Sequence, residues 1–499
     1  MKKILSLVLV LALCLVLFAA CSGYPGDGGY WNGNHIFGDT DGDNYQFEKI
    51  VENPFVSTDE QTASYFSLDR NTASYSLMRR QIEMGMKLNK GSVRVEEYIN
   101  YFSYNYARPT GDDALAMSGS VFDCPWNTEH KLLTIGVAAE EVSFENAKPN
   151  NIVFLIDTSG SMDSDDRLPL IQQAFTMLIE YLGNDDVISI VTYASDNRIA
   201  LEGARGVEKT RIANVLQDLM ASGSTNGAGG IQRAYSVAEK YFIEGGNNRV
   251  ILATDGDFNV GVSSKEGLNA LISEKRDSGI YLSVLGVGMY NTNDVTMETL
   301  ARNGNGNYAY LDNVSEARKV LVEELQGTIN VVAKDAKIGV EFNPEVVSKF
   351  RLIGYDTKLL TQEQFEDEAT DAGEIGSGHT VTAVYELELK QGATGNIASA
   401  EIKYKVPDND DDATNDVSRS ITHQFTTDDY TTEPTDDSVF IGCVVEYGLI
   451  LRQSEYKGDA SFDNLILRLE TIAAYTEADQ FKAEFVEIVN KARALYNAD

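Results

Sequence analysis

The segment Asn151–Leu170, NIVFLIDTSGSMDSDDRLPL, carries five apolar residues from Ile152 to Ile156, reaches Asp157, and then presents Ser159 and Ser161 on either side of Gly160. Two later stretches have the same oxygen-bearing character. ASGSTNGAGGI offers Thr225 in a glycine-rich turn, and VILATDGDFNVG ends an apolar run on Asp255. The set is two carboxylates and three hydroxyls, with no histidine or cysteine beside them. Such donors suit a hard divalent cation. Magnesium takes six oxygens in near-octahedral order and often keeps water among them, whereas zinc sites draw on His and Cys. Magnesium is favoured, with manganese or calcium as alternatives. Because hydroxyls are neutral, they leave most of the ion's charge uncompensated. A carboxylate from another molecule is then a natural sixth ligand. A plainer reading of the first stretch stands beside this one: Ser159 and Ser161 as caps of a helix beginning near Leu168, with Asp157 in a turn. Asp163, Asp165 and Asp166 read as a solvated loop, and Asp257 and Asn259 as residues that shape theirs.

These residues need elements that bring them to one edge. Residues 147–330 alternate strand-like and helix-like runs: NIVFLID, LPLIQQAFTMLIEYLG, DVISIVTYA, GIQRAYSVAEKYFI, RVILATDG and IYLSVLGVG among them. Near-continuous apolar strands separated by helices imply a mostly parallel sheet covered on both faces, a doubly wound α/β domain. Ligands of such sheets bind beyond the carboxyl ends of the strands, where all three oxygen-bearing stretches fall. On either side the pattern changes: two strand-like runs, ALAMSGSVF and KLLTIGVAA, come before, and the alternation of antiparallel strands, in DAKIGVEF, HTVTAVYELEL and SAEIKYKV, comes after. A doubly wound domain leaves its termini close together. The α/β domain is therefore expected as an insertion, with strands from 113–140 pairing with strands from 331–430 in one composite β-rich domain. The expected order is a signal segment at 1–20, a flexible tether at 21–58, a flanking region of helix and strands at 59–146, the α/β domain at 147–330, a sandwich-like region at 331–435, and C-terminal helices at 436–499. Within the first flank, Tyr75, Met78, Ile82 and Met86 share a helical face that Asn71 or Thr72 is placed to cap. The acidic stretch DTDGDNYQFE reads as a spacer, since its Gly42 and Glu48 do not fall at calcium-loop positions, and PDNDDDATND reads as a solvated hairpin tip in preference to a calcium site.

DTSGSM fits the D-x-S-x-S pattern of von Willebrand factor type A domains, and GSTNG and TDGDFN resemble that family's second and third metal loops. Three loops in order make this a specific resemblance. It implies a metal-ion-dependent adhesion site in which Asp157, Ser159 and Ser161 form the first loop, Thr225 the second and Asp255 the third, with a partner's acidic residue completing the ion. The whole arrangement also resembles a group of bacterial lipoproteins that carry this domain between conserved N- and C-terminal regions.

The chain has 499 residues, and its acids outnumber its bases 76 to 41, a formal charge of -35. That balance argues against nucleic acid and anionic lipid as partners. The opening MKKILSLVLVLALCLVLFAAC has a basic start, a long apolar run and small residues ahead of a cysteine, the form of a secretory signal. It resembles a lipoprotein signal with LFAAC as lipobox and Cys21 as the lipidated residue, although Phe18 stands where leucine is commoner. An uncleaved membrane anchor is the rival reading. Lipidation places the protein outside the cytoplasm, tethered to a bacterial membrane. Cys124 and Cys443 would then lie where disulfides can form, and buried free thiols are the commoner outcome.

Catalysis finds little support. The four histidines, His35, His130, His379 and His423, lie outside the α/β region, and no G-x-S-x-G elbow surrounds Ser159 or Ser161. The sequence thus points to a non-enzymatic envelope lipoprotein that binds a protein partner with an exposed Asp or Glu through its metal. A scaffold in which the metal is a folding staple is the alternative, and a metal-dependent hydrolase is a more distant one.

Overall fold

Along the strand Asn150–Asp157, Ile152, Phe154 and Ile156 pack into one helix layer, and Val153 and Leu155 into the other. Both faces are covered, so every position between the ends of this strand can be apolar. The computed structural model describes residues 50–497 apart from 69, 112, 143–147, 225–226, 257–264, 289–293, 325–326, 328–329 and 408–415. The signal segment with Cys21, the tether as far as residue 49, Thr225, Asp257, Asn259 and most of the acidic stretch at 407–416 lie outside the described residues.

The central sheet has six strands in the order Tyr308–Leu311, Ile280–Val287, Asn247–Thr254, Asn150–Asp157, Val187–Tyr193 and Asn197–Arg205. Neighbours are parallel except the last, which runs antiparallel to Val187–Tyr193. Helix Leu168–Ile179 covers one face, with Phe175 stacked on Phe154 at 4.0 Å between ring centroids. Helices Gly227–Lys240 and Lys265–Asp277 contribute to the layer on the other face. The chain leaves Asn150–Asp157 towards the first layer and Asn247–Thr254 towards the second. Between these adjacent strands the winding reverses, the position at which open α/β sheets form their ligand crevice.

The flanking regions form one body, as the insertion reading expects. Lys131–Ala139 lies between Leu115–Asp123 and Thr380–Leu389, antiparallel to both, so strands from before and after the central domain share a sheet. A second sheet is built around Val331–Phe342, with Ala63–Ser67 and Asn396–Val406 beside it. Leu133, Ile135 and Val137 from the first sheet meet Ile338, Val340 and Ile402 from the second in a sandwich core. Helices Asp436–Arg452, Phe462–Thr471 and Gln480–Tyr496 pack on Ala73–Glu83 and Val95–Asn100, joining Tyr75, Met78 and Tyr98 to Phe440, Tyr447 and Phe485.

Three details depart from the sequence reading or complete it. The helix begun at Ala73 stops at Glu83, so Met86 lies beyond its face and is only half-buried. Its N-cap, Thr72, makes no side-chain capping bond; the Ser74 N–H donates instead to Glu97 Oε2 at 2.8 Å. Cys124 and Cys443 are free and buried. Among the described residues, no helix is long and apolar enough to cross a membrane.

Candidate metal site

Asp157 ends its strand with its side chain wholly buried. Its Oδ1 accepts the backbone N–H of Ser159 at 2.8 Å, and Thr254 Oγ1 lies 3.3 Å from its Oδ2. The carboxylate is thus fixed between its own loop and the end of the neighbouring strand. Burial pushes its pKa up to about 6; hydrogen bonds from Ser159 oppose the shift and the charge of Asp255 adds to it. A carboxylate buried with too little positive charge around it has this property, and a cation supplied from outside would relieve it.

The chain then turns sharply. Ser159 is extended, and a 3-10 turn over Gly160–Met162 follows. Met162 is buried in the helix-layer core and pins the turn from below. The turn sets the Ser159 and Ser161 hydroxyls 3.1 Å apart. Two cis oxygens in an octahedral magnesium shell stand about 3 Å apart, given metal–oxygen distances of about 2.1 Å. Helix capping does not account for these serines: the helix begins at Leu168, and its N-cap is Arg167.

The second loop reaches the first through backbone bonds. Ser222 N–H donates to Thr158 O at 2.7 Å, and Gly160 N–H donates to Gly223 O at 3.0 Å. Gly223 has φ +84°, and a Cβ there would fall 2.5 Å from Ser195 Oγ, so both conformation and space require glycine. Ser224 N–H donates to that same Ser195 oxygen at 2.9 Å. Residues 222–224 are thereby held against Thr158–Gly160. Thr225, the next residue, is outside the described part.

Asp255 follows directly on the strand Asn247–Thr254 and is buried. Arg167 Nη1 donates to Asp255 Oδ2 at 2.8 Å and also to the Ser161 carbonyl. The sequence reading missed this arginine. It stands ten residues beyond Asp157 in an acidic loop, and nothing local shows that its side chain turns back to the sheet edge. Ser195 and Thr254 were missed for a similar reason, since they support the loops without standing in the D-x-S-x-S pattern. Of the acidic loop residues, Asp163 and Asp165 are exposed, while Asp166 pairs with Arg80 of the flanking helix at 3.1 Å. The described histidines belong to the flanking body: His130 pairs with Glu386, His379 is buried beside Gly327, and His423 packs on Phe425.

Residues 151–326 match the von Willebrand factor type A domain family. Residues 41–134 match a family described as von Willebrand factor, and residues 327–415 and 390–495 match the C-terminal family of the uncharacterized protein YfbK. YfbK of Escherichia coli (strain K12) is 37% identical over 473 residues, which cover 90% of this chain and 81% of YfbK. The chain belongs to the YfbK group of bacterial von Willebrand factor type A domain proteins. The uncharacterized protein sll0103 of Synechocystis sp. is 27% identical over 306 residues, which cover 59% of this chain and 71% of its own. A solved von Willebrand factor type A structure from Catenulispora acidiphila is 13% identical, covers 75% of this chain and 89% of its own, and superposes with a TM-score of 0.42. A VWA domain suggests a role in protein interaction, and domains of this family commonly bind a divalent metal.

Proposed function

We propose that this VWA protein captures a protein partner at the cell envelope through a divalent ion. In this reading the ion is held by Asp157, Ser159, Ser161, Thr225 and Asp255, with magnesium favoured. When bound, it supplies an electrophilic centre that accepts a carboxylate from the partner's Asp or Glu. The protein's own residues do the rest. The turn at Gly160–Met162 holds two neutral hydroxyls at ligand spacing, the buried carboxylates supply charge from behind, and the loop bonds between 158–160 and 222–224 keep the rim in place. Cys21 is the proposed site of lipid attachment to a bacterial membrane.

The observation that carries the reading is the 3.1 Å pairing of the Ser159 and Ser161 hydroxyls above the buried carboxylate of Asp157, at the sheet's switch point. With the two aspartates acting partly through bound water, the hydroxyls dominate the shell and leave the ion in need of an anion, which suits binding better than a purely structural ion enclosed by carboxylates. The test is capture from envelope extracts with and without EDTA, comparing wild type with Asp157→Ala. The reading expects a partner retained in magnesium, lost in EDTA and lost by the variant, while the wild-type melting temperature hardly changes on chelation. A collapse of stability in EDTA would favour the folding-staple alternative. Capture indifferent to both chelator and substitution would overturn the proposal.

A further inference from the structure

The candidate site already holds a positive charge that belongs to the chain. Asp157 and Asp255 are both buried at adjacent strand ends, and the Arg167 guanidinium reaches Asp255 Oδ2 at 2.8 Å. The same nitrogen donates to the Ser161 carbonyl, on the loop that carries the two hydroxyls. Room is made for this reach. Gly288, just past the strand Ile280–Val287, has φ +72°, and a Cβ on it would lie 2.4 Å from Arg167 Nε and 3.0 Å from its Cδ and Cγ. Arg167 is the N-cap of helix Leu168–Ile179 but makes no side-chain cap there.

We propose that Arg167 is a tethered cation that occupies Asp255 when no divalent ion is bound, so that loading the site exchanges one positive group for another. This inference rests on the metal-binding reading above. Its logic is one of charge. Two buried carboxylates without a partner would carry a heavy desolvation penalty. Arg167 offsets half of that charge, which keeps the metal-free protein folded. An arriving ion must draw Asp255 away from a charge-assisted bond, and its affinity is set lower by that bond. The link to the Ser161 carbonyl ties the exchange to the loop bearing the hydroxyl ligands, so the departure of the guanidinium and the seating of the ion involve the same turn.

The test uses the whole protein as wild type, Arg167→Gln and Arg167→Lys. Manganese binding is followed by electron paramagnetic resonance, and thermal melting is followed in EDTA and in saturating magnesium. Arg167→Gln should melt lower than wild type in EDTA and gain more from magnesium. It should also bind manganese about tenfold more tightly, the equivalent of one charge-assisted bond no longer surrendered. Arg167→Lys, which keeps the charge without the planar fork, should fall between the two. If Arg167→Gln folds only when magnesium is added, that dependence reports the same exchange, and Arg167→Lys supplies the affinity comparison. Binding by Arg167→Gln where wild type binds nothing measurable also supports the exchange. Equal or weaker manganese affinity in a folded Arg167→Gln, beside a wild type that binds, overturns the exchange and leaves the metal reading intact. No binding by any of the three overturns both.

Discussion

Arg79 Nε and Nη2 donate to the two carboxylate oxygens of Asp312 at 2.8 and 2.6 Å, joining the flanking helix to the end of a central-sheet strand. The same guanidinium reaches Glu316 at 2.7 Å in helix Val314–Arg318 and Glu484 at 2.7 Å in the C-terminal helix Gln480–Tyr496. Arg79, Asp312 and Glu316 are almost wholly buried. A VWA domain inserted in another body is therefore fastened to it by an ionic hub as well as by apolar packing. Replacing Arg79 by Met strands three carboxylates around one apolar side chain, and breaking buried ion pairs in this way costs roughly 3–5 kcal/mol. Denaturant unfolding should show that loss for Arg79→Met. Glu484→Gln, at the hub's partly exposed edge, should cost less than about 1 kcal/mol.

His379 gives the flanking body a pH dependence. Burial holds its pKa down to about 3, and the charge of Arg70 works in the same direction. The folded state therefore resists a proton that the unfolded chain accepts near pH 6.5. A depressed folded value contributes stability that is complete above the unfolded pKa and is lost as pH falls towards the folded one. Urea midpoints should fall between pH 6.5 and pH 4, with a slope approaching about 1.4 kcal/mol per pH unit. His379→Gln should flatten that slope, whatever it does to stability at neutral pH.

Gly223 ties loop placement to the proposed ion site. Valine at this position would need a left-handed backbone and would drive its Cβ into Ser195 Oγ. The loop that carries Thr225 would have to move. Gly223→Val should weaken manganese binding by more than tenfold, the counterpart of losing one ligand contact of about 1.4 kcal/mol or more. The sheet beneath stays in place, so far-ultraviolet circular dichroism should be unchanged.

Ser161→Ala separates ligation from folding. Ser161 sits at the rim, half-exposed, and its hydroxyl faces that of Ser159. Stability in EDTA should move by no more than about 0.5 kcal/mol, as for ordinary partly exposed positions. Ion affinity should drop and partner capture should fall with it. Capture as strong as wild type would show that this hydroxyl is not a ligand.

The doubly wound sheet was legible because its inner strands Asn150–Asp157, Asn247–Thr254 and Ile280–Val287 are buried on both faces and read as largely apolar runs, with Asp157 and Asp255 visible at the ends of two of them. The shared flanking sheet was legible from strand-like runs on both sides of the insertion, although Lys131–Ala139 and most of Thr380–Leu389 are buried on both faces and not on alternate residues. Arg167 and Arg79 were not. Arg79 lies next to Met78 on a helix whose apolar face was clear, and the opposite side of such a helix is ordinarily solvated. Here the VWA domain and the C-terminal helices cover that side too, leaving Arg79 1% exposed. Arg167 reaches across the loop from a helix start, a contact that tertiary folding alone creates. In both cases a charged side chain, fully buried at Arg79 and half-buried at Arg167, meets acids far away in sequence, and periodicity reports only which face is apolar.

A crystal grown in manganese, with an anomalous difference map, will show whether the oxygen donors at this sheet edge hold one divalent ion. A single strong peak is expected at about 2.1 Å from the Ser159 and Ser161 hydroxyls, with Thr225 in reach and Asp157 and Asp255 behind it. A map without a peak there, or one in which Thr225 stands apart from the serines with only solvent between, would contradict such a site.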